Sequence, residues 1–98
     1  MNPSDFIKWS EDTQIVTRPG LVTLNKWVNS VTVKNSGTTD LYVNNDKIVP
    51  DAWKSYGGEP RSLFVGSIEL RWMIQSPAPT DIINEATVTQ IFYVDRKP

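Results

Sequence analysis

The run Asn29-Ser-Val-Thr-Val-Lys-Asn-Ser-Gly-Thr-Thr-Asp-Leu-Tyr-Val-Asn-Asn45, followed by Ile48-Val-Pro-Asp-Ala-Trp-Lys-Ser-Tyr-Gly-Gly58, decides the fold. From Ser30 to Asn35, Val31 and Val33 alternate with Thr32 and Lys34, the period-two pattern of a half-buried strand. Asn35-Ser36-Gly37 supplies residues that tolerate positive φ, as a tight connection requires. Leu41 and Val43 then alternate with Tyr42 and Asn44, and this spacing predicts a second strand that completes a hairpin with the first. Asn44-Asn45-Asp46 is the next turn and Lys47 to Val49 a short strand. After a break at Pro50-Asp51, Trp53 to Tyr56 reads as a short edge strand ended by Gly57-Gly58.

The flanks follow the same pattern. Thr13 to Arg18 is a short strand, Pro19-Gly20 a turn, and Leu21 to Val28 a strand. In that strand Val22, Leu24 and Val28 share one face, with Leu21 and Trp27 on the other. Ser62 to Gln75 is the longest β-like run, with Ile68, Leu70, Trp72 and Ile74 opposite Glu69, Arg71 and Met73. Gly66 marks a bend or bulge near its start. Ser76 to Asp81 is a loop stiffened by two prolines, and Ala86 to Asp95 is the last strand. There Val88, Phe92 and Val94 oppose Thr87, Thr89, Ile91 and Tyr93. Ahead of all this, Ser4-Asp5 precedes Phe6 to Trp9, which suits an extended arm or one capped helical turn. No segment sustains a helical period. The expected architecture is all-β: a single antiparallel β-sandwich, Ig-like or jelly-roll-like, of about seven or eight short strands. An N-terminal arm or short helical turn is expected over residues 1–12 and the sandwich domain over 13–98.

Composition bounds the chemistry. The 98 residues suit one domain with one modest core. Ten basic and eleven acidic residues give a net charge of −1 and no basic patch, so no nucleic-acid partner is expected. There is no cysteine, which removes disulfides and thiolate chemistry, and no histidine, which removes Ser–His–Asp catalysis and His-based metal sites. The N-terminus has no basic region followed by an apolar one, so no signal peptide is expected. Apolar runs are too short to span a membrane as a helix, and no membrane partner is expected.

Three candidate sites carry less than they suggest. Asp40, Asn44, Asn45 and Asp46 gather hard oxygen ligands for calcium, but turn geometry alone explains Asn and Asp there. Glu59 and Glu69 could form a glycosidase pair, yet Glu69 alternates outward beside Arg71. Gly57-Gly58-Glu59-Pro60-Arg61 lacks the Gly-Lys-Ser/Thr ending of a phosphate-binding loop. Neither a metal nor a cofactor is expected, and the chain reads as a non-enzyme.

Aromatic residues remain. Trp9, Trp27, Trp53 and Trp72, with Tyr42, Tyr56 and Tyr93, are either sugar-stacking rings or fillers of the core and of subunit contacts. Trp72 belongs in the core on its alternation. Trp27 and Trp53, beside polar neighbours, are the expected exposed anchors.

The run from Val31 to Asn45, followed by Ile48-Val49-Pro50 and Ser55-Tyr56-Gly57-Gly58, resembles the small β-sandwich proteins of tailed-phage virions (capsid decoration, head-fibre and tail-associated modules). In their cadence a strand ends in Asn-x-Gly-Thr, its hairpin partner ends in Val-Asn, and a Pro-containing turn leads to a Gly-rich break. Pro50-Asp51 departs from it, since Pro-Gly is more usual there. The resemblance implies a non-enzymatic structural protein of the virion, made in the host cytoplasm. Its implied partners are copies of itself, as a homo-oligomer, and other virion or assembly proteins. On that reading Trp27, Tyr42, Trp53 and Tyr93 contribute to subunit contacts, and the arm around Phe6 and Trp9 reaches a neighbour. The rival is a carbohydrate- or cell-surface-binding β-sandwich module that uses the same aromatics.

Overall fold

A computed structural model describes residues 7–59, 63–64 and 67–95. Eight strands run in chain order: β1 (Ile7–Val16), β2 (Gly20–Val22), β3 (Val28–Asn35), β4 (Asp40–Val43), β5 (Asp46–Ile48), β6 (Trp53–Gly57), β7 (Ile68–Met73) and β8 (Ala86–Asp95). They form two four-stranded sheets, ordered β1-β8-β3-β6 and β2-β7-β4-β5. Every pairing is antiparallel. The protein is an all-β sandwich.

Alternation builds the core between the sheets. Val31, Val33 and Val88 of the first sheet and Leu41, Val43, Ile68 and Leu70 of the second are wholly hidden from solvent. Burying each such side chain contributes about 1.5–3 kcal/mol. Val16, Leu24, Ala52, Tyr56, Phe64, Trp72 and Phe92 pack around this cluster. Trp72 is thus the core aromatic that its alternation predicts, and β8 begins and ends at the expected residues.

The predicted hairpin between Ser30–Asn35 and Leu41–Val43 does not form. β3 lies between β8 and β6 in the first sheet, with both of its edges occupied, while β4 lies in the second sheet beside β7 and β5. Asn35-Ser36-Gly37 is therefore an arch that carries the chain across the sandwich, not a hairpin turn. The hairpin comes later: Val43 pairs with Asp46 across Asn44-Asn45. Asn44 takes φ 55°, a left-handed conformation that Asn tolerates. Its backbone N–H donates to Glu69 O at 2.9 Å, and its Oδ1 accepts from Glu69 N–H at 3.0 Å.

Two further boundaries move. The strand predicted over Leu21–Val28 is split into β2 and β3, one in each sheet, with the change of sheet made through residues 23–27. Trp27 takes φ 68° there. At the N-terminus, β1 starts at Ile7 instead of Thr13, and its ten residues pair with β8 from Ile7↔Asp95 to Val16↔Ala86. Residues 7–12 are thus strand, because β8 offers them a continuous partner. Phe6 and Gly66 lie outside the described residues.

Candidate functional site

The arch is densely hydrogen-bonded. Asn35 is fully buried, and its Nδ2 donates to Thr39 O at 2.7 Å and Ile48 O at 2.8 Å. Its Oδ1 accepts from Gly37 N–H at 3.1 Å, an Asx turn. The Asn35 backbone exchanges bonds with residues 51–52, donating to Ala52 O and accepting from Asp51 N–H, both at 2.9 Å. Ser36 and Thr38 extend this pairing to Glu85 O and Ile83 O. Thr38 Oγ1 accepts from Ile83 N–H at 2.8 Å, Thr39 Oγ1 bonds Asn84 Oδ1 at 2.6 Å, and Gln75 Nε2 donates to Thr38 O at 2.8 Å. Buried polar groups are stable only when paired in this way. These polar side chains are structural.

Around the arch exposed apolar residues stand among exposed polar ones such as Asp51, Asp81 and Asn84. β3, β6 and β8 meet their neighbours there, and Met73 pairs with Asp40 at the adjacent end of the second sheet. Eleven large hydrophobic residues are exposed among the described residues. Seven of them belong to this end of the sandwich: Ile15, Val49, Trp53, Met73, Ile74, Ile82 and Ile83. Such concentration on one end is unlike the scattered exposed apolar residues of an ordinary surface.

Of the six residues predicted from sequence, the five that are described do not gather in one place. Trp53 is 65 % exposed at the start of β6, opposite Lys34. Trp27 is 51 % exposed, but it precedes Val28 at the far end of β3. Strand rise separates the two by about 20 Å along β3. Trp9 pairs in register with Tyr93, and Tyr93 N–H donates to Trp27 O at 3.0 Å, so those three share one neighbourhood. Tyr42 sits on the second sheet, half-buried beneath the Arg71 guanidinium, 4.5 Å from its ring centre. The predicted aromatic residues thus divide among three places, and no continuous platform of rings results.

A charged cluster joins the open edges of the two sheets. Asp46 of β5 accepts from Lys54 Nζ at 3.1 Å and from the Tyr56 hydroxyl at 3.1 Å, both on β6. The bond from Lys54, then that from Tyr56, holds the Asp46 carboxyl below its ordinary range. Burial, then the bond to Asp46, pushes the Tyr56 phenol up to about 12. The oxygen-rich turn offered for calcium is committed elsewhere: Asp40 pairs with Lys47 at 3.4 Å, Asp46 with Lys54, and Asn44 Oδ1 with Glu69 N–H. Among the described residues no group of three or more acidic side chains could hold a metal ion. Glu59 follows β6 and Glu69 lies in β7, on different sheets.

Sequence reading missed the outer face of the first sheet. Its cross-strand rows run Ile15–Thr87–Lys34–Trp53 and Thr13–Thr89–Thr32–Ser55. In the second row Thr13 and Thr89 hydroxyls are 3.2 Å apart, and Thr32 and Ser55 hydroxyls 2.7 Å. The Thr-Val-Thr of residues 87–89 signals an outward hydroxyl pair, but only the strand order shows that four strands align. Among the described residues no helix is long and apolar enough to cross a membrane. Compared with models of protein families, with curated proteins and with solved structures, this two-sheet sandwich matches none.

Proposed function

We propose that this chain is a non-enzymatic structural module that works through protein–protein assembly, as a capsid-decoration, head-fibre or tail-associated component of a phage virion. The observation that carries the assembly reading is the apolar end of the sandwich, with Met73, Ile74, Ile82 and Ile83 each close to half exposed or more. Apolar surface gathered in this way favours contact with another protein. The rigid hydrogen-bonded arch beneath it supplies a fixed support, which lowers the ordering cost of docking. The virion assignment rests on the resemblance of residues 31–58, which build the arch and the β5 and β6 edges.

Replacing Ile74 and Ile82 together with Asp tests this reading. Both are exposed, so the circular dichroism spectrum and unfolding midpoint should hold while association is lost. Unchanged association would remove the apolar end from the account.

A single feature favours sugar binding as a second reading: the exposed Trp53 ring stands beside the hydroxyls of Ser55 and Thr32. One ring can stack on one pyranose face. Affinity electrophoresis in polysaccharide gels, with retardation abolished by Trp53→Ala in a monomeric protein, would favour that reading over assembly.

A further inference from the structure

We propose that the first sheet joins a second copy of this chain edge to edge, with β1 of one copy paired against β6 of the next. The proposal rests on the assembly reading and specifies its partner and geometry.

Among the described residues β1 and β6 are the open edges of one sheet, and three successive antiparallel pairings make them run in opposite directions. A neighbour's β6 laid beside β1 therefore continues the antiparallel alternation. Open edges are normally blunted by brevity, proline, bulges or charge. β2 and β5, the edges of the second sheet, have three residues each. β1 has ten and contains no proline or bulge.

The side chains at the two edges also match. Ile15 and Trp53 stand at opposite ends of one row, and each is 65 % exposed. Side-by-side copies in register bring Trp53 of one against Ile15 of the other, an aromatic–branched pair of the kind that stabilises adjacent strands. The same register sets Ser55 beside Thr13 and prolongs the hydroxyl row. On the opposite face, Lys54 comes opposite Gln14, while its Nζ keeps its bond to Asp46.

Charge argues against the simpler symmetric pairing of β1 with β1. A two-fold axis through the sheet keeps outward residues opposite outward ones. Of the registers that allows, the two that use most of β1 set Glu11 against Glu11 or Asp12 against Asp12. Like charges directly opposite destabilise a pair. The β1–β6 contact is heterologous, so it builds a ring if the rotation closes and a filament if it does not.

The chain contains no cysteine, so single cysteines report cleanly. The test mixes full-length Ile15→Cys and Trp53→Cys chains with a short bismaleimide. Because a heterologous contact joins unlike edges, cross-linked dimer should exceed that in either variant alone by about tenfold. A chain carrying both substitutions should give a ladder of oligomers. Equal cross-linking of Ile15→Cys alone would overturn the proposal, because β1–β6 pairing sets no Ile15 beside another Ile15. Absent cross-linking in a protein that sediments as an oligomer would overturn it while leaving the assembly reading intact. A protein that sediments as a monomer at every concentration would overturn both.

Discussion

Asn35 Nδ2 donates to the Ile48 carbonyl oxygen across 2.8 Å, so the last residue of β3 in the first sheet holds the last residue of β5 in the second. Replacing Asn35 with Ala leaves the Thr39 and Ile48 carbonyls and the Gly37 N–H without this partner in a buried place. The expected loss of stability is about 3 kcal/mol, read from urea unfolding. A loss within about 0.5 kcal/mol, the range of ordinary surface substitutions, would contradict the arch as the tie between the sheets.

Gly37 is required for a different reason. A Cβ there would overlap the Ile83 carbonyl oxygen and stand 2.8 Å from Glu85 N, both backbone atoms. Gly37→Ala should lower the unfolding midpoint and speed amide exchange at Ser36 and Thr38, which bond to Glu85 and Ile83. Unchanged exchange would show that the arch can move away from residues 83–85 without cost.

Tyr56 gives the protein a marked alkaline dependence. Its phenol is raised from the ordinary 10 to about 12, so the folded state holds the proton more tightly than the unfolded chain. The resulting stability is fully present below pH 10 and is lost as pH rises through 12. Asp46 acts in the other direction: its lowered pKa contributes above the ordinary carboxylate range and is lost as pH falls through its folded value. The difference in absorbance at 295 nm between the wild type and Tyr56→Phe isolates the Tyr56 titration. Asp46→Asn should move that midpoint only part of the way toward 10, since burial is the larger cause. A midpoint unaffected by Asp46→Asn would contradict the Asp46–Tyr56 bond.

Trp27 holds φ 68°, a conformation that costs a bulky residue of order 1–3 kcal/mol. Its ring is 51 % exposed, with Lys26 Nζ 5.1 Å from the ring centre. Asn tolerates that backbone better, and Trp27→Asn keeps the carbonyl that accepts from Tyr93 N–H. The unfolding midpoint should hold or rise. A loss above about 1 kcal/mol would mean that ring packing outweighs relief of the backbone.

The strands were more legible than their partners. In β8 the inward sequence Ala86, Val88, Gln90 and Phe92 follows directly from alternation, and its bounds could be read without the structure. Alternation assigns a residue to a face but says nothing about which strand lies alongside. Asn35-Ser36-Gly37 therefore reads as a hairpin turn, whereas the bonds that make it an arch come from Ile48, residues 51–52 and residues 81–85, distant in sequence. The first half of β1 escaped notice for another reason. As an edge strand it pairs on one side only, and Ser10, Glu11 and Asp12 carry no apolar period.

The candidate surfaces divide in the same way. Exposure of Trp53 and Trp27 follows from their polar neighbours, and both are exposed. Their separation to opposite ends of β3 does not follow, because it depends on sheet order. The apolar end was hidden for the same reason: Ile15, Val49, Ile74 and Ile82 are far apart in sequence and meet only when both sheets close.

Sedimentation equilibrium of the full-length chain over a wide concentration range tests the assembly account most directly. The account predicts a mass that rises above the 11.1 kDa of one chain in whole multiples. A mass of 11.1 kDa at every concentration would contradict it.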